Sequence, residues 1–216
     1  MIELQKGFNT TLIDVAVIAF HVWLYHRKGI NPNSTVIELI TSLLNFLMLR
    51  QFIIWSLTIM NFNKDITDNS YTLILELACY WLLQELYMYW VHRLMHKVKF
   101  LYNNIHRIHH ITKAEDCFVA FFMHPLEVLF FIYPNLMVGP FIIQVYYGYT
   151  DKSAFIIWVC LATFYFVWSH SNDSNTIPDS YFPSTKHHWM HHLRQNCHYG
   201  SWLTDTIFGT IVKEER

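Results

Sequence analysis

Long apolar stretches alternate with short polar segments along this chain. A helix needs about 20 residues to cross the hydrocarbon core of a bilayer, so runs of that length are the primary structural signal. We therefore predict an all-α integral membrane protein with about four transmembrane helices or hairpin spans. The runs cover approximately residues 8–25, 36–62, 71–91, 117–147 and 154–169.

Two of these runs need separate interpretation. No basic region precedes the run 8–25, which favours a retained signal anchor over a cleaved signal peptide. The run 117–147 contains Pro125, Pro134 and Pro140, and proline in a helix interior removes a hydrogen bond and clashes with the preceding turn. We expect this run to form two half-spans or a kinked hairpin rather than one straight helix.

The composition agrees with a membrane protein and disfavours one class of function. Hydrophobic residues make up 53% of the 216 positions and charged residues only 14%, whereas soluble domains carry about 25% charged residues. The net charge of −1 provides no basic face, so we expect no nucleic-acid binding. The four cysteines are scattered and predict no disulfide framework. The length is compatible with a single membrane domain over residues 1–216.

Histidines form three clusters within this apolar chain. They stand in the segments His92-Arg-Leu-Met-His96, His106-Arg-Ile-His109-His110 and His187-His188-Trp-Met-His191-His192. Imidazole is the commonest protein metal ligand, and residues three or four apart share a helix face. We therefore expect each cluster to direct its imidazoles at one point. The predicted ligands are His92, His96, His106, His109, His110, His188, His191 and His192, with His170 after the last apolar run, and His124, His187 and His198 as further candidates.

The number and type of these ligands restrict the metal. Eight or nine imidazoles exceed one coordination shell and favour a dinuclear site. The clusters contain no thiolate, which disfavours structural zinc, and no carboxylate, which excludes the Glu-x-x-His pattern of ferritin-like proteins. Imidazole suits iron, zinc, copper and nickel alike, so the ligand type leaves the metal open. The alternative interpretation is a histidine-rich interfacial surface without a metal.

The distribution of basic residues predicts which side of the membrane carries the clusters. Arg93, Lys97 and Lys99 follow the third run, and cytoplasmic segments are enriched in lysine and arginine. Two further crossings would return His170 to the same side. We expect a histidine-rich helical cap on the cytosolic face.

These motifs, in this order, resemble the three histidine boxes of the fatty acid hydroxylase/sterol desaturase superfamily over about residues 70–212. That superfamily consists of integral membrane enzymes of the endoplasmic reticulum with a non-haem di-metal centre, usually iron. The resemblance implies two iron ions, with zinc as a substitute in purified protein. Further matches are His124-Pro125-Leu-Glu127, His170-Ser171-Asn172 and Asp205-Thr-Ile-Phe208-Gly209-Thr210.

The resemblance also implies an activity and its partners. The expected activity is O2-dependent hydroxylation or desaturation of a lipid at an unactivated C–H bond, with electrons from a separate donor such as cytochrome b5 and its NAD(P)H reductase. Phe166 occupies a position where the fatty acid 2-hydroxylase branch has histidine, which favours the sterol-modifying branch. Carboxylates near metal-bound imidazoles orient them, and the candidates for this role are Glu85, Glu127, Asp173 and Asp205.

Two alternatives remain open at this stage. Within enzymes, the rival is a fatty-acyl or alkylglycerol monooxygenase. Outside enzymes, it is a non-catalytic metal-binding membrane protein or a transporter. Thr204 and His198 depart from the superfamily pattern, which usually has tryptophan and asparagine at these positions, and they favour the non-catalytic alternative.

Overall fold

The computed structural model describes residues 36–62, 70–111, 117, 120–171 and 185–212, and these residues form helices and no β-strand. The first apolar run and Asp173 lie outside the described residues. A 3-10 turn at His106–Ile108 follows the short helix Lys99–Asn104. The helices are α1 (Val36–Ile59), α2 (Ser70–Lys97), α3 (Lys99–Asn104), α4 (Pro125–Tyr147), α5 (Lys152–Ser169), α6 (Thr185–Arg194) and α7 (Trp202–Ile207).

Three of the described helices, α1, α4 and α5, are long and apolar enough to cross a membrane. The prediction of an all-α membrane protein is confirmed. Helix α2 has 28 residues and is therefore about 42 Å long, but it is less apolar and carries Glu76 and Glu85 within its length. A fourth span formed by this helix stays a prediction.

Helix α4 is one continuous helix, so the predicted pair of half-spans or hairpin is wrong. Pro125 is its first residue, where the missing N–H would have no partner in any case. Pro134 and Pro140 each leave a carbonyl four residues earlier without its usual donor. The Tyr87 hydroxyl donates to the Phe130 carbonyl at 3.1 Å.

The Trp158 indole N–H donates to the Leu136 carbonyl at 2.8 Å, and Leu136 is the residue four before Pro140. Donors from neighbouring helices therefore satisfy both carbonyls that the prolines release, as is common in membrane helices. A π-helical turn at Val128–Ile132 precedes Pro134, and such a turn accommodates irregular hydrogen bonding without ending the helix.

The helices pack into a bundle whose two ends differ. Helices α2 and α4 cross so closely that a Cβ added at Gly139 would lie 2.6 Å from the Tyr80 Cα. Beyond this crossing, Asn61 N–H donates to Gln144 Oε1 at 2.7 Å, and Asp151 N–H donates to Glu76 Oε1 at 3.0 Å. We call this the tied end, formed by residues 59–62, 76–80 and 144–151.

The opposite end of the bundle collects the last turn of α2, the first turn of α4 and the last turn of α5. Helices α6 and α7 pack against it through α5 and α2, respectively. This histidine end, formed by residues 92–111, 124–127, 169–171 and 185–210, carries every clustered histidine in the described part of the chain.

Candidate metal centre

Four separate segments bring histidines together at the histidine end. Helix α2 presents His92 and His96 one turn apart, and His170 is the C-terminal cap of α5. The short turn after α3 presents His106, His109 and His110, and α6 presents His188, His191 and His192. Segments up to 100 residues apart in the chain therefore contribute to one site.

Their ring nitrogens form two groups, within each of which the atoms all lie within 4.8 Å of one another. These two groups contain all nine of the histidines singled out above as principal ligand candidates. His124, His187 and His198 belong to neither group. Group 1 contains His92, His96, His106, His110 and His191, and group 2 contains His109, His170, His188 and His192.

The structure corrects the expectation that each triplet points at one place. His106 and His110 belong to group 1, whereas His109, between them in sequence, belongs to group 2. His188 and His192 share group 2, whereas His191 belongs to group 1. In helix α6, residues four apart differ by about 40° around the axis, whereas His191 is rotated about 60–100° away from His188 and His192. His109 and His110 follow a 3-10 turn at His106–Ile108, so α-helical periodicity does not apply to that triplet. Each triplet therefore spans both groups and couples them.

Hydrogen bonds to backbone carbonyls fix the protonation of several rings. The Nδ1 atom of His92 lies 2.7 Å from the Tyr199 carbonyl oxygen. The same atom of His191 lies 2.7 Å from the Cys197 carbonyl oxygen. A carbonyl only accepts hydrogen bonds, so Nδ1 must carry the proton and Nε2 of the neutral ring must carry a lone pair. His170 Nδ1 lies 2.8 Å from the Phe166 carbonyl oxygen and follows the same rule.

The Nε2 atoms of each group face one another at close range. His96 Nε2 lies 3.1 Å from His191 Nε2 and 2.9 Å from His106 Nε2. In group 2, His170 Nε2 lies 3.2 Å from His109 Nε2 and 3.1 Å from His188 Nε2. Where both Nε2 atoms of a pair carry lone pairs, they cannot hydrogen-bond to each other, whereas a cation between them would satisfy both.

The separations also agree with metal coordination. Imidazole nitrogens bind first-row metals at about 2.1 Å, so adjacent nitrogens of an octahedral shell are about 3.0 Å apart. The observed separations of 2.9–3.2 Å match that value. The donor set therefore fits one ion in each group.

Burial keeps these rings neutral and available to a metal. Burial, followed by the neighbouring imidazoles, lowers the pKa of His188, His191 and His192 well below the usual value. The pKa of His110 falls to about 3 and that of His170 to about 4, again chiefly through burial. At neutral pH no proton competes with a metal for these nitrogens.

Glu127 contacts a clustered histidine directly. Its Oε1 atom lies 2.7 Å from His106 Nδ1, and both side chains are 1% exposed. Glu127 lies in the first turn of α4, next to His124. His124 caps that helix, because its Nδ1 accepts a hydrogen bond from Leu126 N–H at 3.1 Å.

Asp205 contacts the loop between α6 and α7, residues 195–201, rather than a histidine of either group. The Tyr199 carbonyl of this loop accepts the hydrogen bond from His92. Its carboxylate accepts hydrogen bonds from the Tyr199 and Gly200 N–H groups, both at 2.9 Å, and from His187 Nε2 at 2.9 Å. Burial alone would raise the pKa of Asp205, but these hydrogen bonds and one from Thr210 hold it below its usual value. The Tyr199 carbonyl that accepts from His92 is thereby fixed in place.

Two further candidates have structural contacts in the same loop. Glu85 Oε2 accepts from Ser201 N–H at 3.3 Å, so it supports the loop from the side of α2. His198 Nε2 accepts from Val212 N–H at 3.1 Å, and its Nδ1 lies 2.8 Å from His187 Nδ1. His187 and His198 therefore join the loop to the C-terminal segment.

The sequence interpretation missed the backbone acceptors of the site. The carbonyls of Phe166, Cys197 and Tyr199 orient three rings, and no residue type signals a carbonyl. Only the Phe166 carbonyl could have been found from the sequence, because Phe166 lies one helical turn before His170.

A cavity inside the bundle opens beside group 2. Its wall includes His188 and extends between α1, α2, α4 and α5. Most of the wall is apolar, with contributions from Leu49, Met88, Phe121, Ile132, Leu136 and Phe166. The candidate metal centre therefore adjoins a mostly apolar cavity.

This chain is similar to several curated proteins, two of which are named methylsterol monooxygenases. A protein of Dictyostelium discoideum, provisionally named a methylsterol monooxygenase, is 34% identical over 151 residues, covering 65% of this chain and 52% of that protein. Human fatty acid hydroxylase domain-containing protein 2 is 32% identical over 138 residues, covering 63% and 38%. Methylsterol monooxygenase 1-1 of Arabidopsis thaliana is 31% identical over 144 residues, covering 62% and 46%.

The chain spans about half the length of these relatives, or less. No solved structure matches it at comparable significance. A family model described as fatty acid hydroxylase matches residues 77–210, which confirms the resemblance drawn from the histidine boxes. Because that match covers more than half of the chain, the protein belongs to the fatty acid hydroxylase family.

Proposed function

We propose that this protein is an O2-dependent oxidoreductase that holds two iron ions and hydroxylates or desaturates a sterol-type lipid. The observation that carries the proposal is the pair of adjacent all-imidazole groups beside an apolar cavity within membrane-type helices. A transporter or a binding scaffold needs no apolar cavity against its metal ligands, so this combination favours oxidation of a lipid.

Each part of the site has a task in this proposal. When bound, iron supplies the redox chemistry that activates O2. Neutral imidazoles leave the centre cationic, and the cavity wall keeps water away from reactive species. Glu127 orients His106, and the Tyr199 and Cys197 carbonyls orient His92 and His191.

The sterol class is supported by the relatives and by the cavity wall. Two of the relatives described above carry the name methylsterol monooxygenase. Phe166 contacts the His170 ring at a tilted angle, with 4.9 Å between the ring centroids, and lines the cavity. An aromatic ring at this point presents a flat apolar surface to a rigid lipid.

Orientation and partners complete the proposal. The basic residues Arg93, Lys97, Lys99 and Arg107 lie at the histidine end, whereas Glu76 and Asp151 lie at the tied end. By the positive-inside rule, the histidine end faces the cytosol, in the endoplasmic reticulum membrane. Electrons would come from a separate donor such as cytochrome b5 with an NAD(P)H reductase.

The test combines metal analysis and lipid analysis of the full chain. The purified protein is expected to hold close to two ions per chain, and His109→Ala together with His191→Ala to lose them. Mass spectrometry of sterols from producing cells should show the gain of one oxygen or the loss of two hydrogens, absent with the double variant. A well-folded protein with one ion or none would contradict the dinuclear site. If only fatty acyl or alkylglycerol lipids were oxidised, the substrate would belong to that class rather than to the sterols.

A further inference from the structure

Three polar side chains without hydrogen bonds line the inner part of the apolar cavity. Within the described residues, Asn135 Oδ1 has no hydrogen-bond partner, although the residue is only 9% exposed. The buried side chains of Gln84 and Thr163 likewise form no hydrogen bond in the described part of the chain. All three residues belong to the cavity wall. Buried polar groups normally have partners, so this polar layer is prepared for a partner that enters the cavity.

The three residues lie at one depth in the bundle. Gln84 is eight residues before His92 on α2, Asn135 is eight after Glu127 on α4, and Thr163 is seven before His170 on α5. At 1.5 Å per residue, each is roughly 10–12 Å along its helix from the metal centre.

The crossing of α2 and α4 also indicates that Gln84 and Asn135 lie at the same depth in the bundle. Tyr80 and Gly139 mark the closest approach of the two helices, and Gln84 and Asn135 each lie four residues from that point towards the histidine end. Groups from three helices therefore form one layer between the tied end and the metals.

The charges of the cavity wall restrict the chemistry of the partner. No lysine or arginine is among the residues that the structure places on the wall. Glu85 is its carboxylate, and Glu85 already accepts a hydrogen bond from Ser201 N–H. At the level of the polar layer, a carboxylate or phosphate would thus meet no cationic side chain, and burying an unpaired charge is strongly unfavourable. The amides of Gln84 and Asn135 and the hydroxyl of Thr163 suit a neutral group that both donates and accepts hydrogen bonds, such as an alcohol.

We propose that Gln84, Asn135 and Thr163 bind the hydroxyl group of a neutral lipid alcohol and so determine how deeply the lipid enters the bundle. The depth decides which carbon lies beside group 2. This inference rests on the proposed function in one respect, namely that a lipid occupies the cavity.

The experiment measures binding, so it does not depend on turnover. The purified full chain, with its metal content measured, is titrated with radiolabelled cholesterol. Competition follows with cholest-5-ene, which lacks only the hydroxyl group, and with palmitic acid. The wild type is expected to bind cholesterol most tightly, and Asn135→Leu to weaken cholesterol binding roughly three- to tenfold, the contribution of one hydrogen bond. Binding of cholest-5-ene should not weaken.

Stability distinguishes a binding role from a structural one. Asn135→Leu replaces an unpartnered polar group with an apolar one of similar size, so the unfolding temperature should stay the same or rise. Asn45→Leu is the matched control, because Asn45 is 3% exposed and its amide donates to the Phe121 and Met123 carbonyls. It should lower the unfolding temperature and keep the preference for cholesterol over cholest-5-ene. Thr163→Val provides a smaller change in the polar layer itself.

Equal binding of cholesterol and cholest-5-ene by the wild type would overturn the inference. So would an unchanged preference in both Asn135→Leu and Thr163→Val, or tighter binding of palmitic acid than of cholesterol. If the hydroxyl preference depends on Asn135 but no oxidised lipid is formed, the polar layer is supported and the proposed oxidoreductase activity fails. The two proposals can therefore fail separately.

Discussion

Replacing Glu127 with alanine is expected to weaken metal binding at group 1 and to leave group 2 intact. The carboxyl group contacts His106 Nδ1 at 2.7 Å, with both side chains almost fully buried. His106 belongs to group 1. The alanine variant leaves the His106 N–H without an acceptor in a site closed to water, and the ring loses the contact that fixes its orientation.

The size of the effect follows from this geometry. A buried donor left unpaired costs about 1–3 kcal/mol. Removing an acceptor that orients a metal-bound histidine reduces metal affinity about 10–100-fold, or about 1.4–2.7 kcal/mol. The two ranges agree, and we expect a loss within them for Glu127→Ala. Glu127→Gln keeps an acceptor oxygen at the same position, so its loss should be smaller.

The assay is competition between the purified protein and a chelator of known affinity, with metal content measured at each step. Two phases are expected for the wild type, one for each group. Glu76→Ala is the control, because Glu76 lies 16 residues before His92 on α2, about 24 Å away along the helix. Its removal should lower the unfolding temperature through lost contacts to Thr150 and Asp151, and leave both metal affinities unchanged.

Two results would refute this reasoning. Wild-type affinity at both groups in a folded Glu127→Ala protein would mean that the contact with His106 does not orient a ligand. An equal loss at both groups would mean that the variant disturbs the whole histidine end rather than one ring.

Other predictions follow from single positions. His109→Ala and His110→Ala, although adjacent, should each remove a different ion, and cobalt substitution should show two distinct spectra for the ions retained; identical spectra would contradict the split between groups. Gly139→Ala should lower stability by about 1–3 kcal/mol through overpacking against Tyr80, measured by thermal unfolding. Asp205→Asn should destabilise the protein at neutral pH, because the pKa of this carboxylate is lowered in the folded state. Such a contribution is present above the unfolded pKa and lost as pH falls through the folded one, so the difference in unfolding temperature should begin to shrink near pH 4 and continue to shrink at lower pH.

Much of the architecture was predictable from local patterns. Apolar runs of membrane length gave α1, α4 and α5, because a helix that faces lipid must be apolar over about 20 residues. The spacing of His92 and His96 predicted a pair on one helix face, since helical geometry repeats every 3.6 residues. The order of the histidine motifs also identified the family.

The continuity of α4 was not predictable from its own residues. Pro134 and Pro140 are helix breakers in isolation, and their sequence environment contains no compensating donor. Tyr87 on α2 and Trp158 on α5 supply those donors from other helices. A local rule fails here because the compensation comes through tertiary contacts.

The sequence by itself identified the histidines that come together and the membrane setting of this protein. Only the tertiary structure decided which histidines share a group, because the local backbone directs the adjacent His109 and His110 to different groups. It also decided the acceptors that orient the rings, since the Tyr199 carbonyl reaches His92 across 107 positions of the chain. Helical periodicity acts over a few residues, whereas coordination and hydrogen bonding depend on the distance between atoms in space.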